Sequence, residues 1–207
     1  MNNFDPNYTL ALISNTTHQA INPLNGVIGT LDNLIDGTIE GPRKEQRLKS
    51  ARAQLEYTVN LIRNLAYFAQ YGAETIQAPK LKIQKTCIVP QILIEAAQFF
   101  QEEGISNNIR VEIRNRAAQN AVRGDPELLR QVFMNIFDNY VKYGVPGSVI
   151  VIEHWIQKLT NDLIITISCP STPFSNDEDI FALGVRGKEA IQKTASGSGL
   201  GLYICKL

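Results

Sequence analysis

The chain of 207 residues contains two histidines, and the first opens a stretch patterned as a long helix, "HQAINPLNGVIGTLDNL" from His18 to Leu34. His18 follows Thr17, a member of the apolar seam, so the pattern turns its imidazole outward. A partly exposed imidazole with a free ring nitrogen is a nucleophile near neutral pH, suited to attack at phosphorus. A solvated surface histidine is the plain alternative. Pro23 stands five residues on, inside the seam, where a proline removes a backbone hydrogen bond at a cost of about 3 kcal/mol. That suggests a bend the helix needs, although a proline kink can also be merely tolerated.

A second constellation lies on "GDPELLRQVFMNIFDNYVKYG". Apolar residues come in pairs four apart (Leu128/Leu129, Val132/Phe133, Ile136/Phe137, Tyr140/Val141), and the opposite stripe carries Gln131, Asn135, Asn139 and Lys142. Asparagines are poor helix formers. Their amide oxygens can ligate Mg²⁺ or hold its waters, and Lys142 can meet phosphate. The stripe also reads as the wet face of an amphipathic helix. The third signal is "GSGLGL" near the C-terminus, where backbone N–H groups of a glycine turn opening a helix can cradle phosphate oxygens. A plain loop fits that turn equally well.

The elements that position these residues fall into two halves. Leu10, Ile13, Thr17, Ala20, Leu24, Val27, Leu31 and Leu34 form a heptad seam, widened by Ile21, Ile28 and Ile35. "DGTIEGPR" interrupts it, and a second seam follows at Leu48, Ala51, Leu55, Thr58, Ile62, Leu65 and Ala69. The pattern predicts a helical hairpin whose open apolar flank pairs with a second copy as a four-helix bundle. After "YGAETIQAP" the period changes. Residues 80–88 read as a strand, 89–103 as one helix, "NIRVEIR" as a strand, and "SVIVIEHWIQ" with "DLIITIS" as a hairpin. Asp125 is the expected N-cap of the asparagine-bearing helix, with Pro126 in its first turn. Residues 170–198 lack a period and suit a lid or binding loop. The second half is thus expected to be an α+β domain with one mixed sheet backed by helices.

Twenty basic residues balance twenty acidic ones, so no global field draws the chain to nucleic acid or an anionic membrane. No apolar run approaches the roughly 18 residues of a spanning helix, and "MNNFDPNY" lacks the layout of a signal peptide. Cys87, Cys169 and Cys205 are an odd number without metal-ligand spacing, which suits reduced thiols in a cytoplasm.

In order and spacing the three signals resemble the catalytic core of a sensor histidine kinase of two-component signalling. "HQAINPLNGVIGTLDNL" looks like the H-box, "LLRQVFMNIFDNYVKYG" like the N-box, "DIFALGVRG" like the F-box region and "GSGLGL" like the second glycine box. The resemblance covers essentially the whole chain. It implies a homodimerising, phospho-accepting hairpin over residues 1–72, paired through residues 7–71. A Bergerat-type α/β-sandwich ATP-binding domain would follow over 79–207, shortened at its C-terminus. It further implies that His18 receives the γ-phosphoryl group of ATP and that Asn139 holds Mg²⁺ with Asn135 close by. Lys142 would touch the phosphates, Tyr143 would lie beside the adenine, and Gly197, Gly199 and Gly201 would wrap the triphosphate. A response-regulator receiver domain is the implied partner, and Asn22 matches a position that helps place water for dephosphorylating it.

The sequence departs from the family's pattern in three places. Gln19 stands where an acidic residue usually follows the histidine, and an amide cannot act as a base. The first glycine box is missing: Cys169 occupies the adenine-binding aspartate position, with Ser171 and Pro173 for the glycines. Losing a charge-assisted hydrogen bond of about 1.5–3 kcal/mol predicts weak nucleotide binding. The chain also ends inside the helix after the second glycine box, where the family normally adds more sheet. These departures keep a second reading open, a pseudokinase or phosphotransfer adaptor that binds ATP weakly or not at all, and a remoter third, a purely structural dimerisation module.

Overall fold

A computed structural model of the chain describes residues 6–72, 85–173, 179–193 and 197–207. Helices α1 (Pro6–Ile35) and α2 (Pro42–Tyr67) form the hairpin, and α2 runs on into a π-helical turn over Phe68–Gly72. Gly37 and Gly41 reverse the chain between them with φ of 70° and 61°, a left-handed conformation that costs glycine nothing. The helix continues through Pro23. Because proline has no N–H, the Gln19 carbonyl four residues back lacks its usual intrahelical donor.

Two contacts fix the register of the hairpin. A Cβ on Gly26 would come within 2.9 Å of the Gln54 amide oxygen, and Leu12 clusters with Phe68. The antiparallel register carrying Gly26 to Gln54 and Leu12 to Phe68 sets His18 level with Ile62.

The two helices meet through Leu12, Thr16, Ala20 and Val27 on α1, and Ala51, Thr58 and Leu61 on α2 are buried with them. The buried threonine hydroxyls are satisfied locally, Thr16 donating to the Leu12 carbonyl and Thr58 to that of Gln54. Most of the large seam residues stay outside: Leu10, Ile13, Ile21, Ile28, Leu31 and Ile35 on α1, and Leu48, Leu55 and Ile62 on α2, are exposed. The seam therefore divides: its smaller members Ala20, Val27, Ala51 and Thr58 are buried in the hairpin, while most of its large members and the isoleucine flank form a face that one chain leaves open.

The second half carries two sheets among the described residues, not the single mixed sheet expected. Strands β2 (Arg110–Ile113), β4 (Val149–Ile156) and β5 (Leu163–Ser168) lie in the order β2-β4-β5, β2 parallel and β5 antiparallel to β4. Strands β1 (Lys85–Ile88) and β3 (Ala121–Gly124) form a separate antiparallel ribbon. Sequence reading missed β3, because "AVRG" is too short to show a period and ends in glycine. The ribbon stands apart because β1 runs straight into α3 (Val89–Phe99) and β3 leads through Asp125 into α5 (Pro126–Tyr143). It therefore sits at the N-terminal ends of both helices. Of the strand expected over 80–88, residues 80–84 lie outside the described residues.

The single helix expected over 89–103 breaks at Phe100, whose backbone leaves the helical region at φ −96° and ψ 8°. The chain restarts as α4 (Gln101–Ser106). The break lets Phe100 enter the core while its ring meets that of Phe99 edge-on at 5.0 Å. Helices α3 and α5 pack on the three-stranded sheet around Leu93, Phe137, Ile150 and Ile152, each at most 1% exposed. Asp125 caps α5 as expected, its carboxylate accepting from the Glu127 N–H at 2.9 Å. Beyond the sheet lie the short helices α6 (Lys188–Lys193) and α7 (Gly201–Lys206).

Candidate functional site

Helix α5 has three working faces. Phe133, Met134, Phe137 and Val141 enter the core. Asn139, Lys142 and Tyr143 lie on a second face with Ile136 and Tyr140, lining a cavity of about 510 Å³. The far wall is the glycine turn, with Gly197, Gly199 and Gly201, and the strand β5 supplies Ile165 and Ile167. Six of the residues singled out from the sequence thus converge on one cavity.

The turn is built by a close backbone approach. Gly199 has φ 69°, and a Cβ there would lie 2.6 Å from the carbonyl carbon of Gly184. The Gly184 N–H donates to the Gly199 carbonyl at 3.1 Å. A side chain on Gly199 would break that contact, and Gly184 also holds a positive φ of 70°. Residues 179–187, part of the segment expected to be a lid, therefore fasten directly onto the glycine turn. They bring in Arg186, to which sequence reading gave no role although it lies in "FALGVRG". Its guanidinium nitrogen Nε would be 3.0 Å from a Cβ on Gly197, and the side chain lines the cavity. Lys142 forms an ion pair with Asp138 at 2.6 Å, with the Lys142 and Asp138 side chains 13% and 17% exposed.

The third face of α5 is not wet. Gln131 and Asn135 are each 2% exposed, and they meet Asn60 and Asn64 of the hairpin, 2% and 4% exposed. Gln131 donates to the Asn60 amide oxygen at 2.6 Å and to that of Asn64 at 3.0 Å. Asn64 and Asn135 exchange hydrogen bonds at 2.9 and 3.0 Å. Asn135 also donates to the Gly201 carbonyl at 3.2 Å. Asn135 therefore does not line the cavity. Asn60 and Asn64 had no visible signal: a lone helix shows two polar residues four apart, and only the packing supplies their partners.

Cys169 also stands off the cavity. Its Sγ lies 3.2 Å from the Ser148 hydroxyl and 3.4 Å from the Pro170 carbonyl, and the cavity rim there is formed by Ser171, Thr172 and Pro173. Thr172 is held by two bonds to the Tyr143 carbonyl, from its N–H at 2.9 Å and its hydroxyl at 3.2 Å. The thiol that does line the cavity, Cys205, is pushed up to about 11 by burial, so it stays protonated and unreactive at neutral pH.

His18 is exposed on α1, with Asn22 exposed one turn on, and neither lines the cavity. The Gln19 amide donates to the Asn15 side chain at 3.3 Å, one turn back along the helix. The hairpin wall of the cavity comes instead from α2, through Tyr57, Asn60, Leu61 and Asn64. His18 and the hairpin wall of the cavity thus lie on different helices, the histidine on α1 and the wall on α2.

Residues 124–207 match the family described as histidine kinase-, DNA gyrase B-, and HSP90-like ATPase. The sensor protein KdpD of Clostridium acetobutylicum is 26% identical over 200 residues, covering 94% of this chain and 21% of that protein. The sensor histidine kinase AruS of Pseudomonas aeruginosa is 24% identical, covering 94% of this chain and 19% of the relative. Over nearly its whole length the chain is thus similar to sensor histidine kinases. It spans about a fifth of the length of these relatives. The histidine kinase AdeS of Acinetobacter baumannii shares the fold with a TM-score of 0.54 at 18% identity, over 91% of this chain and 83% of that one. Full-length ShkA in complex with AMPPNP gives the same score and identity, over 94% of this chain and 39% of that one. The fold is therefore α+β, a helical hairpin joined to an ATPase domain, and no helix described here is long and apolar enough to cross a membrane.

Proposed function

We propose that the chain is a protein-histidine kinase that phosphorylates itself on His18 from ATP and passes the group to an aspartate of a response-regulator receiver domain. The carrying observation is the convergence of Asn139, Lys142, Tyr143 and the glycine turn on one cavity beside a hairpin that displays His18. In this reading residues 1–72 are the dimerisation and phosphotransfer hairpin and residues 79–207 the ATP-binding domain. The exposed seam of Leu10, Ile21, Ile28, Leu48, Leu55 and Ile62 pairs two copies, and the protein works in the cytoplasm.

Phosphoryl transfer asks a protein mainly for positioning and charge neutralisation. An imidazole nitrogen of His18 forms a P–N bond to the γ-phosphorus as the bond to the β,γ-bridging oxygen breaks. ADP leaves with that electron pair. The displaced imidazole proton passes to solvent, because Gln19 is an amide engaged with Asn15. Backbone N–H groups of Gly197, Gly199 and Gly201 face phosphate oxygens, and Lys142 and Arg186 balance their charge. Asn139, whose side chain lines the cavity, would hold Mg²⁺ through its amide oxygen. There it would neutralise phosphate charge.

The test is incubation with radiolabelled Mg-ATP. Acid-labile label on the wild type and none on His18→Ala supports the reading, and an unlabelled wild type contradicts it. One observation favours a second reading: the cavity rim at residues 171–173 carries hydroxyls and a proline, and the Cys169 thiol faces elsewhere. Asp138, which lines the cavity, is already paired with Lys142, and without a further carboxylate for the adenine amino group the chain would serve as a phosphotransfer adaptor. Micromolar Mg-ATP affinity by calorimetry removes that option.

A further inference from the structure

We infer that the cavity selects its ligand by the triphosphate and not by the base, so that it takes purine nucleoside triphosphates without distinguishing ATP from GTP. The inference rests on the nucleotide site proposed above and names the class of phosphoryl donor that site accepts.

The groups suited to phosphate are cationic or backbone. Lys142 and Arg186 line the cavity with the glycine turn, which the Gly184 N–H fixes by donating to the Gly199 carbonyl. Cations and backbone N–H groups suit phosphate oxygens, and every nucleoside triphosphate carries those. A flat base is left the α5 and β5 wall, where Ile136, Ile165, Ile167 and Pro173 line the cavity. Aliphatic surface covers the face of any purine, and because the attraction is non-directional it reads nothing of the ring's edge.

The edge is where the purines differ. Adenine presents an N6 amino donor where guanine presents the O6 acceptor. A site with a fixed hydrogen-bonding group there rejects the wrong ligand by about 10⁴-fold or more. On this wall the groups that could play that part are committed within the protein. The Tyr140 hydroxyl donates to the Ile167 carbonyl at 2.7 Å. The Thr172 hydroxyl donates to the Tyr143 carbonyl at 3.2 Å. The Asp138 carboxylate is paired with Lys142 at 2.6 Å, and the Cys169 thiol lies against the Ser148 hydroxyl. The hydroxyls of Ser171 and Tyr143, which also line the cavity, can each turn to donate or to accept. They serve O6 as readily as N6. Transfer from GTP balances as transfer from ATP does: the P–N bond forms at His18, the β,γ-bridging P–O bond breaks, GDP leaves with that electron pair, and the imidazole proton passes to solvent.

The experiment measures, by calorimetry on the whole chain, the affinities for Mg-ATP, Mg-GTP and inorganic triphosphate with Mg²⁺. Wild type is expected to hold the two nucleotides within about threefold of each other, since no fixed group reads the edge. The base-free triphosphate should bind about 10- to 100-fold more weakly, the share of one seated base. Ile167→Ala, checked for helix content by circular dichroism, should weaken both nucleotides alike by about three- to tenfold and the inorganic triphosphate much less. A tenfold or greater preference for either nucleotide in wild type overturns the inference, and where the preference is for Mg-ATP the ATP reading stands without it. An equal loss for all three ligands in Ile167→Ala overturns the seating of the base on β5. The wild-type ratio decides the inference even where that variant does not fold. If none of the three ligands binds, the ATP reading fails and the inference falls with it.

Discussion

Gly199→Ala probes the glycine turn at its tightest point. Two costs can be worked from the structure. The backbone at φ 69° is a conformation in which an L-residue with a Cβ pays about 1–2 kcal/mol. The added methyl would sit 2.6 Å from the Gly184 carbonyl carbon and 2.8 Å from its oxygen. Both partners are backbone, so no rotamer can relieve the clash and the turn must move away. That movement gives up the hydrogen bond from Gly184 to Gly199, worth about 0.5–1.5 kcal/mol net. The sum is about 1.5–3.5 kcal/mol against the turn as it stands, which at 1.4 kcal/mol per decade is a roughly 10- to 300-fold loss of Mg-ATP affinity. Isothermal calorimetry measures it, with Gly29→Ala as the control. Gly29 lies in α1 with nothing within 4 Å of a Cβ, and that change should stabilise by about 0.5–1 kcal/mol. Equal affinity of Gly199→Ala and wild type for Mg-ATP would refute the reasoning that this close approach shapes the site.

Other perturbations read other parts of the account. Asp125→Ala removes the cap of α5 and should cost about 1 kcal/mol in urea unfolding; no change would mean that the cap bond is not formed. Phe137→Ala empties the centre of the ATPase core, where the ring is 1% exposed, and should cost about 3–5 kcal/mol by the same measurement. Ile62→Glu and Leu55→Glu place charges on exposed positions. They should leave the secondary structure intact but shift sedimentation from dimer to monomer, and a monomeric wild type would remove the pairing face.

Legibility of the fold followed the length of its signals. The 30-residue α1 and 26-residue α2 repeat their periods many times, and the β4–β5 hairpin alternates over eight and six residues. Strand β3 has four residues and no room for a pattern, and the break at Phe100 is invisible because both flanking segments are helical. At the site, residues tied to one local element were readable: the cap at Asp125, the cavity face of α5 and the glycine turn. The carboxamide joint was not, since Asn60 and Gln131 lie 71 positions apart in sequence and an exposed asparagine looks the same as a paired one. The apolar seam was visible but its direction was not. Period alone does not say whether a stripe meets its own hairpin partner or the outside, and here small residues took the inner contact.

The central claim is that His18 takes a phosphoryl group from a nucleotide held in the α5 cavity. Peptide mass mapping at neutral pH after incubation with Mg-ATP tests it most directly. The account predicts a single phosphoryl adduct on the peptide containing His18, absent from Asn139→Ala and lost on acid treatment. An adduct on another residue, or an unmodified His18 while the protein demonstrably holds Mg-ATP, would contradict it.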